Sequence, residues 1–349
     1  MPITRDPSNS YLVKDWTDDI VNLPVLEGMM NAMGLFEERS TSQTAIIFEK
    51  DSRSYSLLPQ TSRTQRNASV GSDRTSEIFS LALPYFKHED AIFPADVQGQ
   101  REYGDPDGAK SLAKAISTKV EDMRIRGDQT KDYMKWEAIK GNTVDAEGNT
   151  IADMFTEFGL VQDEVDFVLG TSTTNISGKI NEVLRTVAAN NKSGVAASMP
   201  IIVCGNSFFD KLIVHADVVQ AYSQYSQDDG VQRLRDNLVT FREWGAVATF
   251  RHRGVMFVNY EPSYTNHLGA TRTPIGTDDG YVLLPNARDL YRGYNGPANK
   301  LTGANQPGAP MFLYQYAHPK DEGMDFELEM SPLYFMTNPK MSIKVTTSN

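Results

Sequence analysis

Catalysis or metal binding in this chain would rest on its histidines, its cysteine, paired carboxylates or a phosphate-cradling glycine loop. The five histidines, His88, His215, His252, His267 and His318, are scattered along the sequence. None has a second ligand at the spacing of an HExxH helix, so a metal centre has no local support. The single cysteine, Cys204, excludes an intrachain disulfide and a paired-cysteine metal knuckle. Its neighbours Ile201-Ile202-Val203 mark it as a small core residue of a buried strand, not a nucleophile. Asp145 to Gly148 lacks the alternating oxygen ligands and closing Glu of a calcium loop, and reads as a turn. Gly178-Lys179 is followed by Ile180 where a phosphate loop needs Ser or Thr. No nucleophile elbow or dinucleotide glycine fingerprint occurs. The expectation is therefore no catalytic, metal or cofactor-binding residue, and no cofactor.

Bulk properties narrow the class further. The chain has 349 residues, 40% of them hydrophobic and 23% charged, which suffices for a sizeable core. Lys and Arg number 34 against 45 Asp and Glu, a net charge of −11. Such a chain is repelled from nucleic acid on average, so any DNA contact is expected to be local or mere containment. No run approaches the roughly 18 apolar residues of a membrane helix, and Met1 to Trp16 do not form a secretion signal. Synthesis and residence in a reducing aqueous compartment are expected.

The elements that could position anything are unusual in shape. Residues 1–40 form an acidic leader: Arg5, Lys14 and Arg39 face seven acids. A short amphipathic helix is predicted around Met29, Met30 and Met33, and the rest should be floppy or packed on another subunit. Strands are predicted at 44–48 and 78–83, flanking a polar stretch too long for an ordinary loop. That stretch reads as a protruding two-stranded arm. Within 52–75, Arg53, Arg63, Arg66 and Arg74 oppose Asp73 alone, so a positive arm sits on a negative chain. Contact with an acidic face of a neighbour would exploit that contrast.

Asp105-Pro106 opens a helical pattern carrying Leu112, Ile116, Val120 and Met123 and ending near Lys140. At ~1.5 Å per residue this is a rod on the order of 50 Å, with a bend expected at Gly127. A hairpin is predicted at 142–151 and a helix through Ile180, Val183, Leu184 and Val187. The strand 201–204 and a helix capped by Asn206 begin an α/β-like unit. Further strands are predicted at 246–250, 255–259, 281–284, 311–316, 324–330 and 341–346. The class is α+β, with two sub-domains and two long appendages.

Ordered segments then carry a family resemblance. Pro84 to Ile92 followed by Pro94 to Gly104, Trp136 to Gly141, Asp145 to Gly148 and Phe155 to Gly159 come first. Tyr316-Ala-His-Pro, Ser331-Pro-Leu and Asn338-Pro follow. Together they resemble the lambda-like major capsid protein E family of tailed bacteriophages, over roughly residues 35–349. The resemblance implies the tailed-phage major capsid fold: an N-terminal arm (1–40), an E-loop (41–87), a peripheral domain (88–199 and 311–349) with a spine helix at 106–140, and an axial domain (200–310).

The resemblance also implies a structural protein, not an enzyme. Copies would self-assemble as pentamers and hexamers of an icosahedral shell around double-stranded DNA, without sequence-specific binding. Portal protein and scaffold are the implied partners, with a decoration protein as a further candidate and no membrane. The location is the virion capsid, after synthesis in the host bacterial cytoplasm. Some shells of this fold weld subunits through an E-loop lysine, but no Lys lies between Lys50 and Lys87. Assembly is therefore expected to be non-covalent, with Arg53, Arg63, Arg66 and Arg74 as inter-subunit contacts. Glu121, Asp122, Asp128 and Asp132 of the spine helix are the candidate acceptors. Two rival readings are a nanocompartment (encapsulin-like) shell of the same fold and a soluble enzyme.

Overall fold

The four consecutive apolar residues Ile201–Cys204 form a strand buried on both faces, which is why they do not alternate. This strand lies inside a six-stranded sheet, in the order 248–252, 255–259, 201–204, 279–283, 343–346 and 163–166. It runs parallel to Val255–Asn259 and antiparallel to Asp279–Leu283. The structure, a computed structural model, describes residues 14–15, 17, 20, 28–53, 74–98, 112–145, 148–191, 199–223, 246–287, 289–318 and 322–348.

Two amphipathic helices share the sheet's core. Ile176–Asn190 buries Ile176, Ile180, Val183 and Val187, and Asn206–Val214 buries Phe208, Phe209 and Leu212. Asn175 caps the first, its Oδ1 accepting from Gly178 N at 2.7 Å. The second differs from expectation: Gly205, not Asn206, is the N-cap residue, and glycine has no side chain to cap with. Glu261 Oε2 and Thr277 Oγ1 accept from the first helical N–H groups instead, at 3.1 and 3.3 Å. The sheet also crosses the expected boundaries at 199/200 and 310/311, because 163–166 and 343–346 supply two of its strands.

A four-stranded sheet (14–15, 312–317, 324–330, 86–92) packs on the long helix Leu112–Ile139. The helix has 28 described residues, a rod of about 42 Å. Its expected start at Asp105 and Pro106 lies outside the described residues. Ala115, Ile116, Val120 and Met123 meet Leu313, Phe326 and Leu328 of the sheet. The far end, Met134, Trp136, Ala138 and Ile139, belongs to the six-stranded sheet's core. One helix therefore spans both cores. It passes Gly127 without a break in the helix; an added Cβ would stand 2.6 Å from Met311 Cε, so the glycine serves close packing.

Ala45–Arg53 and Arg74–Ala82 pair over nine positions as an antiparallel ladder. Its inner face puts Phe48 and Phe79 against Phe335 and Phe158, with ring centroids 4.6 and 5.3 Å apart. Asn142–Val144 and Thr150–Asp153 form the second expected hairpin. Asp145 Oδ1 accepts from Asn149 N at 2.8 Å and Gly148 has φ +81°, so this segment is a turn. Strands at Glu37–Ser40, Phe86–Ile92 and Asp163–Asp166 were not anticipated. All three are charged edge strands, ordered by ladder hydrogen bonds rather than by apolar alternation.

Candidate functional site

The chemistry-bearing residues are occupied structurally. His215 Nδ1 accepts from Asp217 N at 3.2 Å, so Nε2 carries the proton and faces the Thr171 carbonyl at 3.0 Å. His252 stacks on Phe250, and His318 Nε2 lies 2.8 Å from Asp325 Oδ2. Cys204 is fully buried, and burial pushes its thiol well above the ordinary range. Among the described residues no group of three or more His, Cys, Asp or Glu could hold a metal ion.

The most concentrated electrostatics lie along the long helix. Arg124, Asp128, Lys131, Asp132 and Lys135 recur at i, i+4, i+7, i+8 and i+11, one face, and all five are buried. The N-terminal segment covers that face. Arg124 Nε pairs with Asp128 Oδ2 at 2.8 Å, and its Nη1 donates to the Ile20 carbonyl at 2.5 Å. Asn31 N donates to Asp132 Oδ1 at 3.1 Å, while Lys135 Nζ donates to Asn31 Oδ1 at 3.0 Å. Lys135 Nζ also pairs with Glu38 Oε1 at 2.9 Å, and Tyr334 Oη donates to the same carboxylate. Tyr264 Oη donates to Asp132 Oδ2. A Cβ at Gly28 would stand 2.4 Å from Asp132 Cγ, so only glycine fits there.

Three cations and three carboxylates, Glu38 included, leave this seam neutral. Burial and neighbouring charges oppose one another at each of these groups. Burial alone would raise the Glu38 carboxyl, but the ammonium groups of Lys135 and Lys131 hold it down at about 2. Burial pulls Lys131 to about 8 against the opposing pull of Glu38. Burial also raises Asp132, against hydrogen bonds from Tyr264 and Asn31.

Residues 28–40 are therefore not a free leader. Met29 and Met30 are fully buried in the chain's own core, and Phe36 packs edge-on against Tyr334. The seam also corrects the expected acceptors. Asp128 and Asp132 are 3% and 1% exposed and carry in-chain partners, so a neighbour's arm does not reach them in this conformation. Glu121 and Asp122 are exposed. Arg53 and Arg74 are the last register pair of the long hairpin. Arg63 and Arg66 lie outside the described residues.

The hairpin's other face is open. Ile47 stands opposite Ser80 and Ile78 opposite Glu49, so the two isoleucines are diagonal neighbours on one face. They are 67% and 75% exposed. The unbroken apolar run Ile46-Ile47-Phe48 gives no in/out alternation in the sequence; packing on Phe335 and Phe158 decides which face meets solvent. A second charged clasp fastens the 296–310 loop: Lys300 reaches Glu327 and Glu329 at 2.9 and 3.2 Å, and Lys87 reaches Glu327 at 2.9 Å.

A long helix joining two cores, a six-stranded sheet and an extended hairpin together define a fold also seen in phage capsid subunits. Solved structures with this architecture include the capsid of Myoviridae phage XM1, with TM-score 0.51, 9% identity and 93% of each chain covered. The cyanophage A-1(L) capsid is similar in fold, at TM-score 0.50, 11% identity and 93% of each chain.

The chain belongs to the phage major capsid protein E family, whose model matches residues 13–347. It is 25% identical over 360 aligned residues to the major capsid protein of Salmonella phage Felix O1 (isolate Felix O1-VT1), covering 98% of each. It is 27% identical over 346 residues to the major capsid protein of Pseudomonas phage KPP10, covering 96% of this chain and 97% of that one. It is a structural protein of the virion capsid, not an enzyme.

Proposed function

We propose that copies of this chain assemble as pentamers and hexamers into an icosahedral shell that encloses a double-stranded DNA genome. The observation that carries this reading is the exposed isoleucine pair on an otherwise well-packed hairpin, a surface that a neighbouring copy would cover. Within the shell, residues 1–40 serve as N-terminal arm, 41–87 as E-loop, 88–199 and 311–349 as peripheral domain with spine helix 106–140, and 200–310 as axial domain. The hairpin 45–53/74–82 falls inside the proposed E-loop, and the described helix 112–139 inside the proposed spine. The burial of residues 28–40 against their own spine supports an arm whose root is fixed in its own subunit.

Association is non-covalent. Arg53, Arg63, Arg66 and Arg74 of one copy meet Glu121 and Asp122 of the next, and many weak contacts per subunit add through multivalency. With a net charge of −11 the wall contains DNA without gripping it. Portal protein and scaffold are the partners during assembly, with a decoration protein as a further one, and synthesis takes place in the host bacterial cytoplasm. Among the described residues no helix is long and apolar enough to cross a membrane. Electron microscopy of the purified chain tests the reading: closed shells or capsomers are expected, and a persistent monomer under all assembly conditions would defeat it.

A further inference from the structure

One charge in the buried seam is left over. Arg124 pairs with Asp128 and Lys135 with Glu38, but Lys131, on the same helix face, has no hydrogen-bond or ion-pair partner among the described residues. It is 5% exposed. The carboxylates closest to the strap above it are committed elsewhere. Glu38 Oε1 takes Lys135 Nζ and the Tyr334 hydroxyl at 2.9 and 3.0 Å, and its Oε2 takes Asn295 Nδ2 at 3.1 Å. Asp132 Oδ1 accepts from Asn31 N at 3.1 Å and its Oδ2 from the Tyr264 hydroxyl. A lysine buried this deeply is almost always paired.

The unpaired ammonium is a standing cost to the closed seam. Burial disfavours its charge, Lys135 and Arg124 repel it, and the attraction of Glu38 and Asp128 offsets this only in part. The segment that covers the seam is built of short pieces. The helix Met29–Met33 has five residues and stops at Gly34, with φ +57°. Glu37–Ser40 is a four-residue edge strand, paired on one side with 292–295. Neither length sustains itself, so docking holds both in place, through Met29, Met30 and Phe36 and through the contacts to Asp132 and Lys135. Local opening begins in elements of this kind.

Undocking acts on the charges in opposite directions. Asp132 and Lys135 lose partners when the segment leaves, whereas Lys131 regains water and loses none. We infer that residues 28–40 form a releasable strap over the long helix, fastened by Asp132 and Lys135 and held close to release by the unpaired charge of Lys131. Release bares the helix face that carries Arg124, Asp128, Lys131, Asp132 and Lys135. The strap belongs to the single subunit, whatever assembly that subunit joins.

The test is hydrogen–deuterium exchange of the unassembled full-length chain at fixed pH, read by mass spectrometry. Lys131→Met roughly keeps the volume and removes the charge. Peptides across 28–40 should then exchange at least about tenfold more slowly, the scale of one relieved buried charge. Peptides across the buried strand 201–204 should keep their wild-type rate. Should Lys131→Met not fold, Lys131→Leu carries the same expectation. Lys135→Met strands Glu38, and Gly28→Ala pushes the segment off Asp132, so both should speed exchange at 28–40 at least about tenfold. Lys179→Met, from an exposed pair with Glu182, should leave it unchanged. Unchanged or faster exchange at 28–40 in the folded Lys131 variant, or loss of fold in both, would overturn the inference. So would equal slowing at 201–204, which marks stabilisation of the whole chain, or wild-type exchange in both Lys135→Met and Gly28→Ala.

Discussion

Lys135 Nζ lies 2.9 Å from Glu38 Oε1 and 5.0 Å above the Tyr334 ring, so one ammonium group fastens the N-terminal segment, the long helix and the C-terminal strands together. The lysine side chain is 9% exposed and the glutamate 28%, so the pair is well screened from water. Removing one partner of such a pair strands the other charge.

Glu38→Gln should therefore lower the stability of the unassembled chain by about 3 kcal/mol at pH 7. The pH dependence carries the diagnosis. The Glu38 carboxyl is depressed from 4.5 to about 2, so its contribution is fully present above pH 4.5 and is lost as pH falls towards 2. Urea midpoints of wild type and Glu38→Gln should converge across that window. A gap that stays constant down to pH 2 would place the effect outside the ion pair.

Gly205 marks the corner between the buried strand and the helix that follows it. A Cβ there would stand 2.4 Å from the Gly276 carbonyl oxygen and 2.6 Å from Thr277 Cα, backbone atoms that cannot step aside. Gly205→Ala should cost about 3 kcal/mol through overpacking. Gly159 provides the contrast, with φ +61° and open space around it. Gly159→Ala should cost only about 1 kcal/mol, from backbone strain alone. Thermal melts of the two variants check the ranking, and equal losses would contradict it.

The outer face of the long hairpin separates folding from assembly. Ile47→Asp with Ile78→Asp alters two exposed side chains, so the chain's own stability should move by less than about 0.5 kcal/mol per site. Shell formation should be abolished, because each contact would bury an unpaired carboxylate. Size-exclusion chromatography and electron microscopy read the result. Normal shells from the double variant would remove this face from the interface.

Mature particles dissolved in denaturing gel buffer should run as one monomer band, with no ladder of multiples above it. The reason is chemical: no lysine lies between Lys50 and Lys87 to form an amide cross-link from the arm. A ladder of dimers to hexamers would show that another nucleophile replaces it.

Much of the architecture was legible because it rests on local periodicity. The stripe Ile116, Val120, Met123 announced the long helix, the run 201–204 a fully buried strand, and Ile180 to Val187 an amphipathic helix. The charged edge strands were not legible, since Glu37–Ser40 and Asp163–Asp166 have no apolar alternation and are ordered by partners far along the chain. Gly127 adds a contact that local rules do not show: its close approach to Met311 joins residues that no sequence pattern connects.

By itself, then, the sequence determined an acidic, motif-poor chain with one overlong helix and one overlong arm, because composition and side-chain periodicity are local properties. Tertiary structure alone decided the fate of the charges on that helix. Glu121, Asp122, Asp128 and Asp132 are chemically alike along the chain, but the fold leaves the first two in water and packs the last two beneath the N-terminal segment. The same placement leaves Arg126 exposed and sets Arg124 against Asp128. A carboxylate's role follows from its solvation and its nearest cation, and both are fixed only when distant segments meet.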